Sequence, residues 1–305
     1  MNASSKTAKQ TFAGDNVERF ETLMERPKIS WPTLALLFAA FALFGYSSYA
    51  YITGALPLFW AIFNNSIASY MAFTVSHEAS RSSVSTNRTL NDWIGRIAML
   101  LLEPTPIFLS FRTIHMTHHK FTNDPARDPD MYAGSGPAWL LPFKWATLDM
   151  AYFRFYLQPE TFKKRSKRER LEFYLGVAFG LAVVAVMAAA GWLTHYLLLF
   201  FIPTRVLKFM LGFAFDFLPH YPHTATARRQ PFQSTSNRVG LEWLLTPLFI
   251  YQNYHLVHHL YPTVPFYRYL KVWKAKQNYH NAQNPALVGP LSLIPKPETG
   301  TGASS

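Results

Sequence analysis

The chain has 305 residues and no cysteine. That excludes disulfides, thiolate zinc sites and any iron–sulfur cluster held by its own sulfur. No Gly-rich dinucleotide motif is present, so the chain carries no reductase module of its own. Acids are scarce, 17 against 29 Lys plus Arg, for a net charge of +12. Charge is missing altogether from long stretches. Between Ser30 and Ser80 there is no Lys or Arg and Glu78 is the sole acid; between Leu171 and Thr204 Glu172 is the sole charge. A nucleic-acid partner is not expected beside such stretches.

A membrane span takes ~20 apolar residues. The first uncharged stretch predicts two spans, about 31–52 and 55–75, turning at Thr53–Gly54. The second predicts two more, about 171–190 and 192–211, turning at Gly191. The basic residues lie outside both hairpin tips, so the positive-inside rule makes both termini and the long polar segments cytoplasmic. Residues 1–30 read as a cytoplasmic lead-in without an apolar signal core, the first span acting as its own insertion signal. Residues 31–280 read as the membrane domain. The tail, 281–305, is rich in Pro, Gly, Ser and Thr and is expected to be disordered. The expected fold is all-α: an integral membrane protein of four transmembrane helices in two hairpins with a cytoplasmic helical cap. Trp93–Phe111, broken by Arg96, Glu103, Pro104 and Pro106, is expected to be an interfacial or re-entrant helix pair, and Trp243–Tyr251 to be interfacial. Lys163–Arg170 reads as a headgroup-binding run, and Arg205 and Lys208 as residues snorkelling to the interface.

Histidine is what the chain does have. His-x-x-His-His occurs twice, as His115, His118, His119 and as His255, His258, His259. Positions i, i+3 and i+4 are neighbours on a helix, so each triplet presents its imidazoles to one side. With His77, His220 and His223, nine of the eleven histidines fall in four clusters, all on the expected cytoplasmic side. His195 and His280 are expected to be interfacial or solvated. Nine imidazoles exceed what one tetrahedral zinc takes and suit two metals with open positions. Iron fits best, because two irons can supply electrons to O2 and generate an oxidant for an unactivated C–H bond, which no side chain can attack alone. A site at the membrane face would receive a lipid or hydrocarbon from the bilayer.

Four segments carry a resemblance: HEASR at 77–81, RTIHMTHHKFTNDPARDPD at 112–130, LPHYPH at 218–223 and QNYHLVHHLYPTVPFYRY at 252–269. Over about residues 73–269 the chain resembles the membrane fatty acid desaturase and hydroxylase family with its histidine boxes, in particular the bacterial desaturase or carotenoid-hydroxylase-like branch. The resemblance implies two non-haem irons with His77, His115, His118, His119, His220, His223, His255, His258 and His259 as ligands, and O2 as co-substrate. It also implies electrons from an external donor such as a ferredoxin with its reductase, and a bacterial inner-membrane location. Asp124, Asp128, Asp130 and Asp216 are candidate hydrogen-bond partners that fix imidazole tautomers, or else turn and cap residues. Asn253 is a candidate for holding a metal-bound water. The first box departs from the family pattern: Arg81 stands near where a second histidine is usual, and a guanidinium cannot coordinate metal. Glu78, Asn87 or a water could replace that ligand, or Glu78 and Arg81 could simply be an ion pair. The leading expectation is an acyl-lipid desaturase. Hydroxylation of a carotenoid or hydrocarbon, oxidative decarboxylation to a terminal alkene, a membrane zinc hydrolase and a non-catalytic scaffold stay open.

Overall fold

The computed structural model describes residues 12–295. Among these the regular structure is helical, apart from one short strand pair. In chain order the principal helices are α1 Val17–Met24, α2 Trp31–Ile52, α3 Leu58–Ser80, α4 Arg88–Met99, α5 Phe108–Phe121, α6 Leu148–Tyr156 and α7 Lys167–Ala189. The long element α8, Leu193–His220, follows, and then α9 Glu242–Leu248, α10 His255–Leu260, α11 Tyr269–Ala275 and α12 Gln277–Ala282.

Three of these, α2, α7 and α8, are long and apolar enough to cross a membrane, which marks a membrane protein. Helix α3 has 23 residues but is not among them. From Asn65 onward it carries Asn65, Ser66, Ser69, Thr74, Ser76, His77 and Glu78, all buried, so its polarity is spent on neighbouring protein rather than on lipid. Helix α8 continues beyond the expected end at Leu211. It does so through a π turn, Gly212–Phe217, the second in this element after Leu197–Phe201. Such widened turns are frequent at functional sites, and Asp216 sits in the second.

The chain forms two compact units. One, here the helical unit, comprises Lys28–His115 and Pro142–Leu211. Asn65 Nδ2 of α3 donates to the Leu199 carbonyl at 2.8 Å and to Ser48 Oγ at 3.1 Å. Helix α7 meets the 104–107 segment at two glycines: a Cβ on Gly176 would lie 2.5 Å from Ile107 Cγ2, and one on Gly180 2.6 Å from the Pro104 carbonyl oxygen. Only glycine permits that approach. The charges here close on one another. Arg96 pairs with Glu172 at 2.6 Å, and Asp92 with Arg112 at 2.5 Å and Arg168 at 3.2 Å. Lys208 and Arg205 do not snorkel as expected. Lys208 Nζ is buried on Glu103 at 2.7 Å and on the Leu102 carbonyl at 2.9 Å, and Arg205 is forked onto Asp149. A cation inside protein needs such partners.

The other unit, here the histidine unit, takes its described residues from the N-terminal segment to Pro27, from Met116–Leu141 and from Gly212 onward. Arg268 Nη1 donates to the carbonyls of Leu23 and Glu25 at 3.0 and 2.7 Å, and Asp15 accepts from the Asn278 and Tyr279 amides, tying α1 to the C-terminal helices. Two expectations are corrected here. Residues 281–295 are folded: Leu287–Val288 pairs in parallel with Asn237–Arg238, and Arg238 clamps the carbonyls of Gly289, Pro290 and Ser292. Residues 296–305 lie outside the described range. His280 is fully buried, not solvated. Its Nε2 meets Tyr261 OH at 2.8 Å, its Nδ1 the Trp273 carbonyl at 3.1 Å, and its ring stacks on Trp273 at 4.6 Å. Burial lowers its pKa to about 4. His195, in the helical unit, is half-buried against Trp192.

Candidate metal centre

Within the histidine unit, the end of α5 supplies His118 and His119, the end of α8 His220, and α10 His255, His258 and His259. One ring nitrogen from each of His118, His220, His255 and His259 lies within 4.8 Å of all the others; His119, His258 and His259 form a second such group. The facing atoms are Nε2. His118 and His259 stand 3.3 Å apart, His220 and His255 3.2 Å, His255 and His259 3.1 Å, and His119 and His258 2.9 Å.

The outward nitrogens explain what those Nε2 atoms can do. His118 Nδ1 faces Asp128 Oδ1 at 2.8 Å and Asp130 Oδ2 at 3.3 Å. His255 Nδ1 faces Gln252 Oε1 at 3.3 Å, His258 Nδ1 the Tyr269 hydroxyl at 3.3 Å, and His259 Nδ1 Thr122 Oγ1 at 3.4 Å. Thr122 spends its own proton on the His118 carbonyl at 2.9 Å, which leaves its oxygen to accept. A proton held at Nδ1 leaves Nε2 with a lone pair. Lone pairs facing one another at about 3 Å repel unless a cation lies between them. In the protein alone a proton serves: burial works against charge on His118, but Asp128 and Asp130 carry its pKa up to about 9. On His259, burial and then the neighbouring imidazoles push the pKa well down. The donor set therefore fits metal ions, and an all-nitrogen set suits iron, zinc or copper.

Other expected residues divide. Asp128 and Asp130 both face His118 Nδ1. Asp124 does not: it pairs with the exposed Arg127 and caps a turn through the Ala126 and Arg127 amides. Asp216 lines a cavity of about 190 Å³ with Asp128, Asp130, His220 and His223, and its charge raises the His118 pKa. His223 is buried and belongs to neither of these groups of facing nitrogens. Burial lowers its pKa to about 4. Asn253 donates to the Arg238 carbonyl at 3.4 Å and Thr246 Oγ1 at 3.3 Å, a packing role. Asn87 caps α4 through the Leu90 amide and is not a substitute ligand. In the helical unit, His77 and His115 pair edge to face with ring centres 4.4 Å apart, stacked on Phe73 and Phe111 respectively. Glu78 and Arg81 are an ion pair, both fully buried at the side chain, with Ser83 Oγ donating to Glu78 at 2.9 Å. Sequence reasoning missed Thr122, Gln252 and Tyr269. Thr122 lies four residues after His118 and Gln252 three before His255, spacings that could have pointed to them. Tyr269 has no such local signal.

Three candidate membrane spans, together with histidine rings converging from three helices, make this a membrane protein with a cluster that could hold metal. More particularly, residues 54–286 match the family model for fatty acid desaturases, and the chain belongs to that family. It is 28% identical over 232 residues to the dihydrorhizobitoxine desaturase of Bradyrhizobium elkanii, covering 67% of this chain and 63% of that protein. It is 31% identical over 114 residues to the omega-3 fatty acid desaturase fat-1 of Caenorhabditis elegans, covering 36% of this chain and 23% of that protein. It is 34% identical over 79 residues to the sn-1 acyl-lipid omega-3 desaturase (ferredoxin) of Synechocystis, covering 25% of this chain and 20% of that protein. The match thus spans less than two thirds of each of these relatives.

Proposed function

We propose that the protein is an O2-dependent membrane di-iron oxidase that desaturates an acyl lipid. One observation carries the reading: four imidazoles held by Nδ1 partners with their Nε2 atoms directed at one another. His118, His119, His220, His255, His258 and His259 would hold the irons. Bound iron supplies the redox chemistry with O2 that removes hydrogen from an unactivated C–H bond. The reaction converts CH2–CH2 plus O2, two electrons and two protons into CH=CH plus two waters. This chain's residues prepare for that reaction. Asp128, Asp130, Gln252, Tyr269 and Thr122 keep the ring protons on the outer nitrogens, which fixes ligand direction before metal binds.

The electrons come from outside, since the chain has neither cysteine nor a dinucleotide motif. An acidic carrier such as a ferredoxin suits the net charge of +12, and one relative carries ferredoxin in its name. In this reading α3 is the fourth span despite its polar half, and the basic segments with the metal centre face the cytoplasm of a bacterial inner membrane. The relatives' names give different substrates, dihydrorhizobitoxine in one and omega-3 acyl positions in two, so family membership alone does not fix the substrate.

The test is lipid analysis of a host expressing the full chain beside the His118→Ala variant. A new double bond in the host acyl lipids that needs His118 is the expected result. A new hydroxyl group in its place would assign the chain to hydroxylation. Purified parent protein that holds zinc and no iron would overturn the oxidase reading.

A further inference from the structure

Between α2, α7 and α8 the helical unit holds a cavity of about 400 Å³. These are the three helices long and apolar enough to cross a membrane, so its occupant must be soluble in a bilayer. Phe44 on α2, Val183 on α7 and Phe200 on α8 make the walls apolar. Residues along α7 mark its length. Met187 lines it near the turn at Gly191, and Pro104 lines it where the segment between α4 and α5 meets Gly180. Met187 and Gly180 are two helical turns apart, a rise of about 10 Å.

Polar groups in the cavity are few. Glu103 is the only Asp, Glu, Lys or Arg among the described lining residues, and Lys208 holds it at 2.7 Å. Trp192, His195 and Tyr196 line the end near the hairpin turn. The Tyr196 hydroxyl and His195 Nδ1 are enclosed, and neither has a hydrogen-bond partner among the described residues. An enclosed donor left unpaired costs the desolvation of that group, and an accepting oxygen offsets the cost. We propose that the cavity binds one acyl chain of a membrane lipid, the chain lying along the apolar walls toward Pro104 and its carbonyl oxygen accepting from Tyr196. Depth favours this occupant. Tryptophan gathers at the membrane–water boundary, and Tyr196 lies one helical turn inward from Trp192, the level of a lipid's ester carbonyls. Charge agrees. Neither hairpin turn has a Lys or Arg, so the site recognises chain and carbonyl rather than an anionic headgroup. A quinone fits less well, because its second carbonyl would meet apolar walls or Glu103, already engaged by Lys208. The inference goes beyond the oxidase reading and does not depend on it.

The test uses full-length protein in phosphatidylcholine nanodiscs doped with a phosphatidylcholine that carries a diazirine in one acyl chain. Irradiation should label segments 179–187 and 196–200 in excess of Phe38, which is 77% exposed on α2. Val183→Trp fills the cavity and should remove that excess while the label at Phe38 stays. Tyr196→Phe keeps the volume and removes the donor, and should weaken lipid retention through a detergent wash by about two- to tenfold. Each variant is first shown to be monodisperse and helical; if Val183→Trp does not fold, Tyr196→Phe decides. Label spread evenly over the lipid-facing surface, or unchanged in both variants, overturns the proposal. Competition identifies the source. Unlabelled phosphatidylcholine should displace the probe; oleic acid displacing it better would make the occupant a free fatty acid, with chain and carbonyl as proposed. Displacement by a short-chain quinone and by neither acyl compound overturns it. No reading here involves iron, so the outcome stands even where the oxidase reading fails.

Discussion

The two units use their polar side chains in opposite ways. In the helical unit, acids and bases close on each other: Lys208 on Glu103, Arg205 on Asp149, Arg96 on Glu172, Arg81 on Glu78. In the histidine unit, polar partners sit behind the rings and leave the facing nitrogens directed at common points. The first arrangement holds helices together. The second keeps coordinating capacity open, and it is stable only with a proton or a cation among the rings. Burial and histidine content are therefore poor guides to a ligand; the group behind the ring decides.

The largest expected effect breaks the comparison on the histidine side. Replacing His118 or His258 by Ala should lower turnover more than the roughly 10–100-fold typical for partners of metal ligands, with iron lost and helical content kept. Product formation by either variant at a tenth or more of the parent rate would refute the centre. On the helical side the opposite pattern is expected. Lys208→Met leaves Glu103 buried without its ammonium, and breaking a buried pair costs about 3–5 kcal/mol. Thermal unfolding in detergent should come markedly earlier, while iron per folded chain is unchanged. Changing Glu103 to Leu in the same chain should recover most of the loss; no recovery would mean that Lys208 acts mainly through the Leu102 carbonyl.

A smaller effect depends on pH. His280 is held neutral by burial, with a pKa of about 4 against about 6.5 for a free histidine. Above about pH 6.5 neither the folded nor the unfolded form takes up a proton there. As pH falls toward 4 only the unfolded form does, so stability drops, by about 3 kcal/mol at most. Below 4 the contribution is lost and the curve flattens. Unfolding curves between pH 7 and pH 4 check this. The slope should shrink in His280→Gln, and an unchanged slope would place the acid sensitivity elsewhere.

Much of this was legible in the sequence where a short-range rule applied. Uncharged stretches marked apolar helices, and the spacing i, i+3, i+4 put His118 and His119, and His258 and His259, on shared faces. Asp128 was one of three loop aspartates for which the resemblance left a ring partner and a turn residue equally open, and it faces His118. Three features were not legible. The π turns of α8 depend on packing, and no periodicity marks them. The burial of Lys208 depends on Glu103, 105 positions away in the sequence, which no local rule reaches. His280 looked solvated because its neighbours are polar in sequence, but Trp273 and Tyr261 enclose it. Asp124 shows the reverse error: of three similar aspartates in one loop, two face His118 and one pairs with Arg127, and only backbone geometry tells them apart.

The smallest effect separates the kinds of ring partner. His118 has a carboxylate behind it, and His258 has the neutral Tyr269 hydroxyl. A hydrogen bond to a charged group contributes about 1.5–3 kcal/mol, and one between neutral groups about 0.5–1.5. Asp128→Asn keeps the shape and an accepting oxygen but removes the charge, and should weaken iron retention in a chelator titration by about 10–100-fold. Tyr269→Phe removes a neutral acceptor and should weaken it by less than about tenfold. If the two variants lose iron equally, charge behind the ring is not what orders these histidines, and the contrast between the units reduces to ring packing. If Tyr269→Phe has the larger effect, the His258 side dominates retention, and the carboxylates serve mainly to place the proton on His118 when the metal is absent.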